Sequence, residues 1–107
     1  MSRIIAGKEP ITLINVFEVA PAHQQELVQL LNEATERVMR RVPGFVSANI
    51  HRSLDGKQVV NYAQWQTREA FQRMPEFPGA REHMERAAQL ATRFTPSLYE
   101  VVATHEK

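Results

Sequence analysis

The 107-residue chain has no cysteine, which excludes disulfides, thiolate metal sites and thiol nucleophiles. It has no excess of one charge either. Lys+Arg number 13 against 12 Asp+Glu, for a net charge of +1, and no basic stretch stands out. Nucleic-acid and anionic-membrane roles rest on a concentrated positive field, so neither is favoured. No apolar run approaches the ~20 residues that a membrane helix needs. The opening MSRIIAGKEP holds too short an apolar stretch for a signal peptide, so the expected location is cytoplasmic. The phosphate-cradling GxGxxG and GxxxxGK[ST] patterns are missing, as is a GxSxG nucleophile elbow. His23, His51, His83 and His105 are scattered, and EHMER (82–86) carries one histidine where HExxH needs two. No metal is therefore expected.

What is present is an ordinary globular composition, 43% apolar and 23% charged, over a length that suggests one domain, 1–107, with a core of about 11–103. A chain this short buries a modest core, and dimerisation is a natural way to bury more. Residues 1–9 read as a loose start. ITLINVFEV (11–19) has the β-branched and aromatic composition of a strand. Pro21 suits the first turn of a helix, and Leu27, Leu30, Leu31, Ala34 and Val38 follow at helical spacing. Glu33 and Arg37 can pair on its wet side, and Pro43-Gly44 ends it. FVSANIHRSL (45–54) reads as a second strand and Asp55-Gly56 as a hairpin turn. The third strand runs from about Gln58 to Gln66. A tight turn sets Arg52 opposite Val59, Ile50 opposite Asn61, Ala48 opposite Ala63 and Val46 opposite Trp65. Thr67 can cap the next helix, whose inner side carries Ala70, Phe71 and Met74. After a break at MPEFPG, a further helix spans about Ala80 to Thr92, with Met84, Ala87, Ala88 and Ala91 inward. FTPSLYEVVA (94–103) closes the chain as a fourth strand, with Pro96 at its beginning or on an edge.

The order β-α-β-β-α-β folds most simply as an α+β, ferredoxin-like domain: an antiparallel four-stranded sheet with helices on one face. The other face would carry Phe45, Ser47, Asn49, His51, Val60, Tyr62 and Gln64, a mixture that fits a subunit interface.

One stretch resists a purely structural reading. In VVNYAQW, Asn61 and the chain's single tryptophan, Trp65, share a face with Val59 and Ala63. A buried amide needs partners for its carbonyl and its NH2. Neighbouring backbone can supply them; alternatively, an amide turned into a cavity can hold an oxyanion. Trp65 can be plain core, although its indole N–H also needs a partner. Asn15 is a second amide in an apolar stripe, beside Leu13, Phe17 and Val19. His83 adjoins Met84, near Arg81 and Arg86. It is either a solvated helix residue or a general base, a role that neutral imidazole performs near pH 7. Met39, Met74, Met84, Phe17, Phe71, Phe77 and Phe94 can line a cavity or simply fill a core.

LINVFEV leading to a Pro-started helix, then VPGFVSANIHRSLDGKQVVNYAQWQTREAF, resembles the antibiotic biosynthesis monooxygenase family over about residues 11–103. Within it, the chain is most similar to the small quinone-forming monooxygenases of aromatic polyketide pathways. The resemblance implies a dimeric α/β-barrel assembly of ferredoxin-like subunits, a homodimer through the sheet face, with an apolar pocket between sheet and helices in each. It implies oxidation of an anthrone-like or phenolic ring by O2 to a quinone, with no metal, flavin or heme. Asn61 and Trp65 would then stabilise the substrate anion and the oxygenated intermediate. A family tyrosine of the following helix is replaced here by Phe71. A basic residue of the last helix contributes in the family; Arg81, His83 and Arg86 are the candidates, with His83 favoured as the catalytic one. Asn15, Phe17, Ile50, Phe71, Met74, Arg81, Met84 and Arg86 are the expected substrate-binding set. Two other readings remain: a non-catalytic small-molecule binding or stress-response protein of the same fold, favoured by the missing hydroxyl at Phe71, and a heme-degrading or heme-binding protein. Asn15 fits the heme branch, but Met74 stands near where its tryptophan would be, and His83 matches its histidine only roughly.

Overall fold

The structure, a computed structural model, describes residues 4–107, except for the Lys8 side chain. Its elements are β1 (Gly7–Glu18), α1 (Gln24–Arg37), β2 (Phe45–Arg52), β3 (Gln58–Trp65), α2 (Arg68–Arg73), α3 (Ala80–Leu90) and β4 (Arg93–Val101). Short 3-10 turns at 21–23, 39–41 and 74–76 lead into or out of the helices. The strands form one antiparallel sheet in the order β2-β3-β1-β4, the ferredoxin-like arrangement expected from the sequence. Strand alternation puts Leu13, Asn15 and Phe17 of β1 toward the helices, and Thr12, Ile14 and Val16 on the opposite face.

Helix formation follows the local signals. Pro21 opens the turn before α1, where its missing N–H costs nothing. The inward stripe Leu27, Leu30 and Ala34 is buried against the sheet. Arg37 meets Glu33 at 3.3 Å on the wet side, an exposed pair of the kind that contributes about 0.3–0.5 kcal/mol. Thr67 caps α2 by accepting the Ala70 N–H at 3.1 Å.

The hairpin register is as expected from Arg52–Val59 to Ala48–Ala63 and departs beyond it. An irregularity between Phe45 and Ser47 puts Phe45, not Val46, opposite Trp65. Inserting one residue into one strand of a pair inverts every side chain past it. Phe45 therefore leaves the outer face, where the sequence had put it, and Val46 lies 44% exposed. The strand β1 begins at Gly7 rather than at residue 11, so part of the expected loose start is paired; residues 1–3 of that start lie outside the described residues. The helix α3 ends at Leu90 rather than Thr92. Ala91 is already extended, and Thr92 gives both its N–H and its hydroxyl to the Glu18 carbonyl, which turns the chain into β4.

Candidate active site

Between the helices and the sheet lies a cavity of about 370 Å³. Its floor is set by cross-strand rows. Asn15 of β1 stands directly opposite Asn61 of β3, with Pro96 of β4 beyond Asn15 and Ile50 of β2 beyond Asn61. In the next row, Leu13, Ala63 and Ala48 come together, and the two alanines leave space where larger residues would fill it. Trp65 closes that end, with Phe45 and Phe71 edge-on to its ring at centroid distances of 5.5 and 5.8 Å. Helix α3 supplies the roof through Arg81, His83, Met84 and Ala87.

The polar groups of this apolar space are unusual. Asn15 Oδ1, Asn61 Oδ1 and Trp65 Nε1 are buried and have no hydrogen-bond partner. Neither amide oxygen accepts from the neighbouring amide, although the two residues are cross-strand partners. The Nδ2 atoms are not among the sealed atoms, so the NH2 ends are the polar ends open to the cavity. An unpartnered buried polar group costs about 1–3 kcal/mol. Three such atoms in one cavity wall are a cost that an ordinary packed core avoids.

His83 is the titratable side chain with the most defined setting in the roof. Its Nδ1 lies 2.9 Å from the carbonyl oxygen of Gly79. Arg81 and Glu85 stand beside it on the cavity side, both exposed. Met84 and Phe94, 38% and 44% exposed, mark the side where the cavity opens, between α3 and β4. Among the described residues, no group of three or more His, Cys, Asp or Glu gathers to hold a metal, and no helix is long and apolar enough to cross a membrane. Asp55, its carboxyl held below the usual value by the Lys57 backbone N–H and the Ser53 hydroxyl, lies in the hairpin loop and is no part of the cavity lining.

Of the residues singled out from sequence, Asn15, Phe17, Met39, Asn61, Trp65, Phe71, Met74, Arg81, His83, Met84 and Phe94 line the cavity. Ile50 and Arg86 do not. Ile50 packs instead against the cluster of Phe17, Leu27, Leu30 and Val59. Arg86 follows Met84 by two residues, roughly 200° round the helix, and so faces Glu26, Gln29 and Glu33 of α1. Phe77 packs beneath the cavity rather than lining it. Phe45, Thr35 and Glu85 were missed. Thr35 follows Leu31 and precedes Met39 at four-residue intervals, a periodicity that could have found it. Phe45 was hidden by the strand irregularity, which has no sequence signature here.

The chain is similar to proteins of known family and structure. Residues 10–89 match the family model for antibiotic biosynthesis monooxygenase. The tetracenomycin-F1 monooxygenase of Streptomyces glaucescens is 46% identical over 85 residues, which cover 79% of this chain and 76% of that protein. The crystal structure of the ActVA-Orf6 monooxygenase of Streptomyces coelicolor, in complex with nanaomycin D, superposes with a TM-score of 0.76 at 30% identity, covering 92% of each chain. That of SnoaB, a cofactor-independent oxygenase from Streptomyces nogalater, gives 0.72 at 28% identity, covering 91% of this chain and 97% of its own.

Proposed function

Because this chain belongs to the antibiotic biosynthesis monooxygenase family, we propose that it oxidises an anthrone-like or phenolic ring with O2 to a quinone, without metal, flavin or heme. The observation that carries the reading is the cavity itself: apolar walls, two adjacent amides and an indole N–H on the floor, and an imidazole in the roof. The support from relatives is that one at 46% identity is a monooxygenase and one of similar fold is a cofactor-independent oxygenase.

The chemistry needs little beyond what such a substrate brings. An anthrone C–H is acidic because its anion is delocalised over the ring and its oxygen. His83 takes the proton as general base. The oxyanion is met by the NH2 ends of Asn61 and Asn15 and by the Trp65 N–H, donors that cost no reorganisation when the charge develops. The carbanion gives one electron to O2, and the resulting radical and superoxide combine into a carbon-bound peroxide. Its outer oxygen takes back the proton held by His83, and the O–O bond then breaks as the remaining C–H proton leaves, giving the ring carbonyl and one water. One oxygen atom thus ends in the quinone and one in water, and the substrate supplies all the electrons. The missing hydroxyl at Phe71 removes one further donor and leaves an apolar contact on Trp65.

The same reading includes a homodimer through the outer sheet face. Ile14 opposite Tyr62 and Val16 opposite Val60 form a half-buried apolar strip at the centre of that face, flanked by Ser47 and Asn49. Light scattering on the purified protein tests it, with a dimer mass as the expected result.

Oxygen uptake with dithranol, in the presence of a chelator and with no added cofactor, tests the reaction. Uptake above the uncatalysed background, lowered by Asn61→Ala, is expected. No uptake with dithranol or other anthrones and phenols would instead favour a binding protein of this fold.

A further inference from the structure

We infer that Gly79 is a positioning residue: its carbonyl locks the His83 imidazole in the Nδ1–H tautomer, so that Nε2 carries the lone pair presented to the cavity. The inference deepens the base role proposed above and rests on it for its catalytic meaning, but the tautomer can be measured without any turnover. The argument begins with the 2.9 Å contact between His83 Nδ1 and the Gly79 carbonyl oxygen. A carbonyl oxygen can only accept, so Nδ1 must carry the proton. The opposite neutral tautomer would set two lone pairs against each other at that distance. Neutral imidazole has one N–H and one lone pair, and the lone pair is thereby assigned to Nε2. Nε2 is also the end of the ring directed away from the helix backbone, and His83 lines the cavity.

The anchor is itself well fixed. Gly79 sits at φ +89°, in the left-handed region, as the residue before α3. There its carbonyl accepts from the His83 backbone N–H as well, at 3.3 Å. The turn ahead of it is closed by Phe77 N–H to Met74 and Ala80 N–H to Phe77, both at 3.0 Å. A side chain at position 79 would carry the φ penalty, and its Cβ would stand 3.2 Å from Val38 Cγ2. Glycine here serves the direction of one carbonyl. The free histidine side chain favours the other tautomer, so an orientation enforced by the protein is distinguishable from the default.

The test is a proton–nitrogen correlation spectrum of 15N-histidine-labelled full-length protein, above the titration range of its histidines. The His83 signal is assigned by its loss in His83→Asn. A protonated Nδ1 and a bare Nε2 are expected for His83, and a predominantly Nε2–H ring would overturn the proposal. Gly79→Ala should shift that population toward Nε2–H. A folded Gly79→Ala protein with the native tautomer would show that glycine is not needed to aim that carbonyl, and would overturn the positioning role of Gly79. Should Gly79→Ala fail to fold, the wild-type spectrum still decides. His83→Asn keeps an N–H donor at the Nδ1 position and removes the Nε2 lone pair. Its turnover of dithranol should fall by roughly 100-fold or more, with ligand binding, followed by Trp65 fluorescence, near that of the wild type. Undiminished turnover together with the Nδ1–H tautomer would remove the base role while leaving the tautomer lock in place, so the two failures are separable.

Discussion

Along the helix-facing side of the sheet, Val59 is packed solid under Leu27 and Leu30, Phe17 stands at the boundary, and the rows through Asn15–Asn61 and Leu13–Ala63 stand over a hollow. The same strands underlie both regions and the same helices roof them. In the first, Leu27 and Val59 are wholly buried, with Leu30 and Val19 around them. In the second, two alanines withhold volume and two amides bring polar atoms that the protein leaves unpartnered. One fold thus holds a region optimised for stability beside one that sacrifices it. The difference is made by side-chain size and polarity at a handful of cross-strand positions, with the backbone held constant.

Substitutions that attack the two regions should therefore fail in different ways. Leu27→Ala removes a fully buried side chain from the filled region. It should cost about 2–5 kcal/mol of unfolding free energy, read from urea titration, with the turnover of the remaining folded enzyme little changed. Asn61→Ala acts on the hollow region. It should lower turnover by roughly 100-fold or more, the effect of losing one donor to a developing oxyanion, while unfolding shifts by less than about 1 kcal/mol. A large stability loss at Asn61 with unchanged rate would mean that both regions are plain core.

Much of this division was legible in the sequence, and the misses share a cause. The strand and helix order, the Thr67 cap and the Glu33–Arg37 pair follow from local spacing and turn chemistry. So does the pairing of Ile50 with Asn61, because Asp55-Gly56 sets the register of a hairpin close in sequence. The face that carries Asn61 and Trp65 was read from alternation alone. What local pattern could not supply was the meeting of Asn15 with Asn61, since the sheet order brings together strands that are far apart in the chain. Nor could it give the strand irregularity that sends Phe45 inward against Trp65. For Ile50, the correct face was not enough, because position along the strand decides between the filled region and the hollow one. Arg86 was separable from Arg81 and His83 by helical phase, given which face of α3 meets the sheet.

Trp65→Phe sharpens the comparison at the boundary of the cavity. The ring contacts with Phe45 and Phe71 can persist, whereas the N–H that lacks a partner is lost. Turnover should drop by about tenfold, the value of one net hydrogen bond of roughly 1.4 kcal/mol made in the transition state, with the aromatic packing retained. Steady-state kinetics with dithranol distinguishes this from a binding defect, which would raise KM instead.

The smallest expected effect is also the one with the opposite sign. Asn15→Leu puts an apolar side chain of similar size where an amide oxygen is now buried without a partner. Removing that desolvation penalty and adding apolar contact should stabilise the fold by about 1 kcal/mol, raising the urea midpoint at constant slope. Substrate affinity should weaken in the same variant, because one of the two amides on the cavity floor is gone. Gain of stability with loss of binding is the signature of a site kept hollow and polar for use. A destabilised Asn15→Leu protein would show that the amide is held by the fold for its own sake, and the contrast between the two regions would reduce to packing density.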